Sequence, residues 1–240
     1  MSGERVGFVG GEPATVSGLE YTPVSGSATE VLAGDPAVVV ADGDDALIDL
    51  VREGVDGPVI PVATGPGICS VPEERLATVL DRFVGGGDVD RRSYQLLEIA
   101  TPDVAVEVLF DVLLVAAEPA RISEYAVHWT DKQVARFRAD GVLASTPAGS
   151  AGYNARADGP VIAPGTGVVA IVPIAPFTTN SDHWVLPPDG ISLTIVREEP
   201  PIDVVADGRV VAGLSNGDTI ALSPGGDFET VVTPESETFS

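Results

Sequence analysis

Residues 140–160 hold the densest run of hydroxyl-bearing and bulk-free residues in the chain, from Asp140-Gly141 through Ser145-Thr146-Pro147-Ala148-Gly149-Ser150-Ala151-Gly152-Tyr153 to Arg156 and Gly159-Pro160. The apolar stretch 142–144 delivers the chain into Ser145 and Thr146, and beyond Pro147 there is almost no side-chain volume until Tyr153. Small residues let a ligand lie directly against main-chain N–H groups. Tyr153 would add a flat apolar face with a polar tip, suited to stacking on a planar base. The chemistry this favours is a nucleotide shelf. The same spacing also fits a tight turn between a buried strand and a short helix, with Tyr153 in the core. Spacing alone does not separate the two.

A second candidate precedes it. Residues 37–41 read as a buried strand that runs into Asp42-Gly43-Asp44-Asp45, and a helix follows with Leu47, Leu50 and Val51 at i, i+3 and i+4. Strand, Gly-bearing acidic turn and helix is the order of an α/β binding site. A solvated acidic turn is the plainer alternative.

Other chemistries fail on spacing. There is no Gly-x-x-x-x-Gly-Lys for a P-loop, and Gly10-Gly11 lacks the third glycine of a dinucleotide fingerprint. The turn at Asp42 begins like an EF-hand, but Ala46 and Leu47 occupy the third ligand and glycine positions. Ala148-Gly149-Ser150-Ala151-Gly152 mimics a nucleophile elbow, yet His128 and His183 are the only candidate bases and Pro147 fits that turn poorly. Neither histidine has a partner at metal-ligand spacing.

The elements that must position these residues fall into two sets. In the first, strands are expected at 6–9, 37–41 and 59–62. Ser70-Val71-Pro72-Glu73 reads as a capping box opening a helix with Leu76, Val79, Leu80 and Phe83 on one face. Residues 11–34 show little helical periodicity. Past Gly85-Gly86-Gly87 the period becomes alternating, with strands expected at 92–99, 104–115, 122–129, 133–137, 167–173, 192–196, 203–206, 209–212, 218–222 and 228–232. The fold class expected is α/β plus all-β: a small N-terminal parallel α/β domain at 1–87 and a C-terminal β-sandwich at 88–240. The polar tail from residue 233 is expected to fray.

Composition narrows the partners. Against 13 Lys plus Arg stand 36 Asp plus Glu, a formal net charge of -23 in 240 residues, and Lys132 is the only lysine. Such a surface repels nucleic acid and anionic membranes. With 44% hydrophobic residues the charge must coat a folded body, and molar salt, where the Debye length is about 3 Å, would relieve its self-repulsion. A halophilic cytoplasm is the setting this implies. Cys69 stands alone, most simply as a small core residue, and no run approaches a membrane span.

The 140–160 run resembles the signature of the NAD kinase family, a strand ending in Asp-Gly that leads to Ser-Thr-Pro-Thr-Gly-Ser-Thr-Ala-Tyr and a Gly-Gly-Pro turn. Asp140, Gly141, Ser145, Thr146, Pro147, Gly149, Ser150, Tyr153, Gly159 and Pro160 match, whereas Ala148, Ala151, Gly152 and Asp158 depart. The resemblance implies a phosphoryl transfer from ATP or polyphosphate, with Mg²⁺, to the 2′-hydroxyl of NAD, in a crevice between two domains. It places Asp44 at the position of the catalytic base within a degenerate Gly-Gly-Asp-Gly turn, here Asp42-Gly43-Asp44-Asp45. It puts Asp111 on the ribose, with Phe110 replacing an amide residue, and has Gly149, Ser150, Ala151 and Gly152 offer main-chain donors. Thr146 and Tyr153 face the dinucleotide, and subunits of a homodimer or homotetramer share the Asp140 region; Arg156 stands where the family commonly has a serine, either as a cation for a phosphate or as an exposed arginine paired with one of many acids. Asp207-Gly208 matches the family's late Asp-Gly hairpin. Carboxylates in place of glycines beside a phosphate would cost roughly 1 to 4 kcal/mol at 4 Å, so the resemblance equally allows a catalytically impaired paralogue that only binds nucleotides.

Overall fold

A computed structural model describes residues 4–14, 21–101, 103–118, 121–177, 182–197 and 201–237. The chain forms two compact units, Met1–Tyr94 with Asp227–Ser240, and Gln95–Gly226. The division falls later than the expected 87/88, and the end of the chain belongs to the first unit. The reason lies in two long strands, β5 (Asp90–Ala100) and β16 (Thr219–Val232), each of which serves both units.

The first unit is a parallel sheet of β1 (Arg5–Val9), β2 (Thr22–Ser25), β3 (Val38–Asp42) and β4 (Val59–Val62) in the order β2-β1-β3-β4. The end of β16 adds to β4 in parallel, with Thr230 opposite Val59. Successive residues of a strand face opposite sides, and both sides are covered. Phe8, Val40 and Val62 cluster with Leu76, Val79 and Leu80 of α3 (Leu76–Val84). On the other side a side chain at Gly7 would run into Val31 of α1 (Ala28–Ala33). The helix α2 (Asp44–Arg52) buries Leu47 and Leu50 completely. Cys69 is a buried core residue whose amide donates to the Tyr94 hydroxyl at 2.8 Å.

Three expectations for this unit are corrected. Ser70 caps nothing: the helical turn begins behind Pro72 with no side-chain cap, and Ser70 instead pairs through its backbone with Glu237. The capping box belongs to Ser27 and Glu30, inside the stretch thought to lack a helix, with the Ser27 amide donating to the Glu30 carboxylate at 2.9 Å. The tail is held as far as residue 237: Arg82 binds Glu235 through two contacts at 2.7 and 2.8 Å, and Thr233 is buried. Residues 238–240 lie outside those described.

The second unit is an antiparallel sandwich. One sheet contains β8 (Ser123–Trp129), β9 (Lys132–Ala139) and β13 (Ile191–Arg197) beside β16, with β5 paired to β6 (Ala105–Val108). The other runs β12-β11-β10-β7-β14-β15, made of β7 (Asp111–Ala116), β10 (Gly141–Ser145), β11 (Val169–Ile174), β12 (Trp184–Leu186), β14 (Ile202–Ala206) and β15 (Arg209–Leu214). Leu97, Leu114, Tyr125, Val142, Ile171, Leu193 and Val204 meet in the core between them. The opposite side of β10 is also covered, Leu143 packing with Ile162, Ala170 and Val172. That double burial accounts for its apolar sequence.

Two strand expectations fail here. Residues 104–115 are not one strand but β6 and β7, interrupted at Leu109 and Phe110, whose amides turn to a side chain instead of a ladder. Residues 218–222 and 228–232 belong to one strand, which runs through Gly225 and Gly226 close beside Glu107, where the Gly226 amide donates to the Glu107 carboxylate at 2.6 Å. No helix among the described residues is long and apolar enough to cross a membrane.

Candidate functional site

In the first unit the chain leaves β1 toward β2 but leaves β3 toward β4, so the strand order reverses between β1 and β3. Ligands of open α/β sheets gather outside the carboxyl ends at such a point. A cleft of about 600 Å³ opens there, lined among others by Gly10, Gly11, Glu12, Asp42, Glu73 and Leu76. Asp42 lies so close to Gly11 that a side chain there would strike its carboxylate, and Gly10 takes φ 84° against the Asp42 carbonyl. Gly43, φ 82°, stands at the amino end of α2, and its amide donates to the Val62 carbonyl at 2.8 Å. Asp44 and Asp45 are the first residues of that helix, where its dipole favours anions. Both are exposed, and Asp44 accepts from the Gly65 amide at 2.8 Å, which fixes its carboxylate without burying it.

In the second unit the small-residue loop sits on the break between β6 and β7. The Phe110 carbonyl accepts from the Thr146 amide at 2.9 Å, and the Thr146 hydroxyl lies 2.6 and 3.1 Å from the Leu109 and Phe110 carbonyls. The Gly149 amide donates back to that hydroxyl at 3.2 Å, and a Cβ at Gly149 would collide with the Phe110 carbonyl. Ser150 is fully buried: its hydroxyl donates to Pro147 at 2.7 Å and accepts from the Ile162 amide at 2.9 Å. That occupation removes it as a nucleophile. Asn154, also fully buried, ties the two ends of the segment by donating to the Ser150 and Pro160 carbonyls at 3.0 and 2.8 Å.

Loop amides are therefore less available than expected. Those of Gly149, Ser150 and Gly152 are bonded within the loop, the last two at 3.3 and 2.9 Å to Pro147 and Gly149. What the loop does present is Ala151 and Gly152, half-buried with open space over Gly152, and Tyr153, 41% exposed and so not in the core. Arg156 is exposed and makes no ion pair with a described residue. Asp111 opens β7 opposite Ser145, beside the loop. Asp140 does not join this group: it enters β10 at the end away from Ser145, roughly five residues and 17 Å along the strand, where its amide pairs with Ile174.

The fold alters the ionisation of Asp111. Burial, and after it the charge of Asp207, pushes its carboxyl up to about 6. Asp207 itself, Asn154 and the Gly10-Gly11 cleft were not singled out as site residues. Asp-Gly signals only a hairpin, and an Asn after a tyrosine signals nothing until the loop closes on it.

Residues 109–233 match the family described as the ATP-NAD kinase C-terminal domain. The chain belongs to the NAD kinase family. The NAD kinase of Methanosarcina mazei is 30% identical over 213 residues, covering 84% of this chain and 70% of that protein. Among solved structures, yeast NADH kinase complexed with NADH aligns with a TM-score of 0.77 at 15% identity, over 98% of this chain and 85% of that one. An NAD kinase from Archaeoglobus fulgidus in complex with ATP gives 0.73 at 21% identity, over 98% and 93%. At these identities the two structures speak for the NAD kinase fold.

Proposed function

We infer that the protein is an NAD kinase, a phosphotransferase that moves a phosphoryl group from ATP or polyphosphate to the 2′-hydroxyl of NAD. The observation that carries this reading is the position of Asp44 in a chain of this family: first residue of α2 behind a buried parallel strand, exposed, with one oxygen held by the Gly65 amide. A carboxylate so held is oriented to take a proton from a hydroxyl with its other oxygen. Such a transfer needs positioning and charge neutralisation more than covalent help.

Asp42, Gly43 and Asp45 flank that base on the donor side. Mg²⁺ binds through one or two carboxylates plus substrate phosphates, and the acidic turn fits it in that way. Among the described residues no group of three or more His, Cys, Asp or Glu could cage a metal alone, so the ion would come with the donor, whose phosphate charge it neutralises. In the second unit Asp111 takes a ribose hydroxyl, Tyr153 stacks on a base, and the open surface at Ala151 and Gly152 lets the dinucleotide lie close to the backbone. Arg156 offers a planar cation for phosphate. A cytoplasmic homodimer or homotetramer, with Asp140 serving a neighbouring subunit's site rather than its own, belongs to the same reading. It accounts for a motif residue that lies away from its own loop.

The test is incubation of the protein in molar KCl with NAD, Mg²⁺ and either ATP or polyphosphate, scored for NADP. Product is expected, falling by about 100-fold or more in Asp44→Asn. If no NADP forms while NAD still raises the unfolding temperature, the protein is a dinucleotide-binding module and not a kinase.

A further inference from the structure

Asp207 and Gly208 form the tip of the β14–β15 hairpin with φ 46° and 74°, the geometry of a two-residue turn. A hairpin tip is ordinarily solvated, yet Asp207 is only 7% exposed. Its carboxylate accepts from three successive amides, those of Leu109, Phe110 and Asp111, at 2.8, 2.8 and 3.1 Å. In return its own amide donates to the Asp111 carbonyl at 2.9 Å. Three amides converging on one carboxylate are charge-assisted bonds that tolerate little displacement. They turn the chain at 109–111, and the carbonyls of that corner are the ones that seat Thr146 and Gly149.

We propose that Asp207 is a positioning residue of the site in the second unit: it fixes the 109–111 corner on which the small-residue loop rests, and its charge beside the Asp111 carboxyl makes engagement of a ribose hydroxyl depend on protonation. As far as the ligand is concerned, this rests on the NAD kinase reading. Asp111 stands opposite Ser145 of β10 and exchanges backbone and carboxylate contacts with Asp207 of the hairpin, with Thr146 next to Ser145, Ala206 opposite Val112 and Arg209 two residues beyond Asp207. Asp207 and Arg209 are the ionisable groups among these. With Asp111 pushed up to about 6, the carboxyl changes near neutrality from a group that can donate and accept to one that only accepts.

The experiment follows the Asp111 side-chain carboxyl by carbon-13 NMR on the full chain in molar KCl, assigned with Asp111→Asn, in wild type, Asp207→Asn and Asp207→Glu. NAD affinity is measured alongside by calorimetry from about pH 5 to pH 8. Asp207→Asn is expected to lower the Asp111 midpoint measurably, and the pH dependence of NAD affinity should move down with it. Asp207→Glu should keep the midpoint high. An Asp111 midpoint unchanged in Asp207→Asn overturns the proposal, as does a shifted midpoint with an identical NAD profile. If wild type binds no NAD at any pH, the NAD kinase reading fails and takes the ribose half with it, while the carboxyl titration still decides the corner. Should Asp207→Asn not fold, Asp111→Asn must abolish the pH dependence of NAD affinity, and a dependence that persists overturns the idea.

Discussion

Gly149 has no room for a side chain, because the Phe110 carbonyl occupies the place its Cβ would take. Gly149→Ala is therefore expected to lower stability by about 1 to 3 kcal/mol in urea titrations. Gly57→Ala, where nothing lies within 4 Å, should stay within about 0.5 kcal/mol. Asp111 makes a prediction with a definite sign. Its folded value is raised from 3.8 to about 6, so between those values the folded chain holds a proton that the unfolded chain has lost. The contribution is complete at low pH and disappears as pH rises through about 6. The loss is up to about 3 kcal/mol. Asp111→Asn should then gain on wild type by that order from about pH 4 to pH 7, and denaturant curves at the two values check it. The motif made Gly149 legible as a required small residue, but its reason is a backbone carbonyl from the distant break between β6 and β7. Phe110 stands where the family has an amide residue, and the corner uses its backbone amide and carbonyl, which any residue supplies.

At the scale of elements, long amphipathic pieces were readable and short capped ones were not. The apolar spacing of Leu47, Leu50 and Val51, and of Leu76, Val79 and Leu80, located α2 and α3 because each buries one stripe. The helix α1 has only Ala28 and Val31 buried, too few for a periodic signal, and rests on its cap. Ser27→Ala is accordingly expected to cost about 1 kcal/mol, seen as a lowered unfolding temperature. The false box at Ser70 and Glu73 shows why a four-residue pattern is weak: Pro72 starts the turn, and the Ser70 backbone is taken by Glu237. The break between β6 and β7 had no clear turn signature, since 104–115 is apolar but for Glu107 and Asp111 and contains neither glycine nor proline. It exists because Asp207 withdraws three amides from any ladder.

For the molecule as a whole, a formal net charge of -23 dominates. Raising KCl from about 0.1 M to 1 M shortens the Debye length from about 10 to 3 Å. The unfolding temperature is expected to rise by several degrees across that range, and calorimetric scans at fixed pH measure it. A flat or falling temperature would remove self-repulsion as a governing term.

By itself the sequence determined the two kinds of sheet and the family, and it singled out the 140–160 loop and the turn at Asp42 as candidates for the chemistry. Each of these is written in neighbouring residues: burial periodicity, glycine where bulk is forbidden, a motif too long to be chance. Only the tertiary structure decided which motif residues are spent on holding the loop, that Asp140 stands apart from it, and that a hairpin carboxylate takes the amides of Leu109, Phe110 and Asp111. Those outcomes depend on amides and carbonyls that every residue possesses, and a backbone group has no letter in the sequence until folding brings its partner alongside.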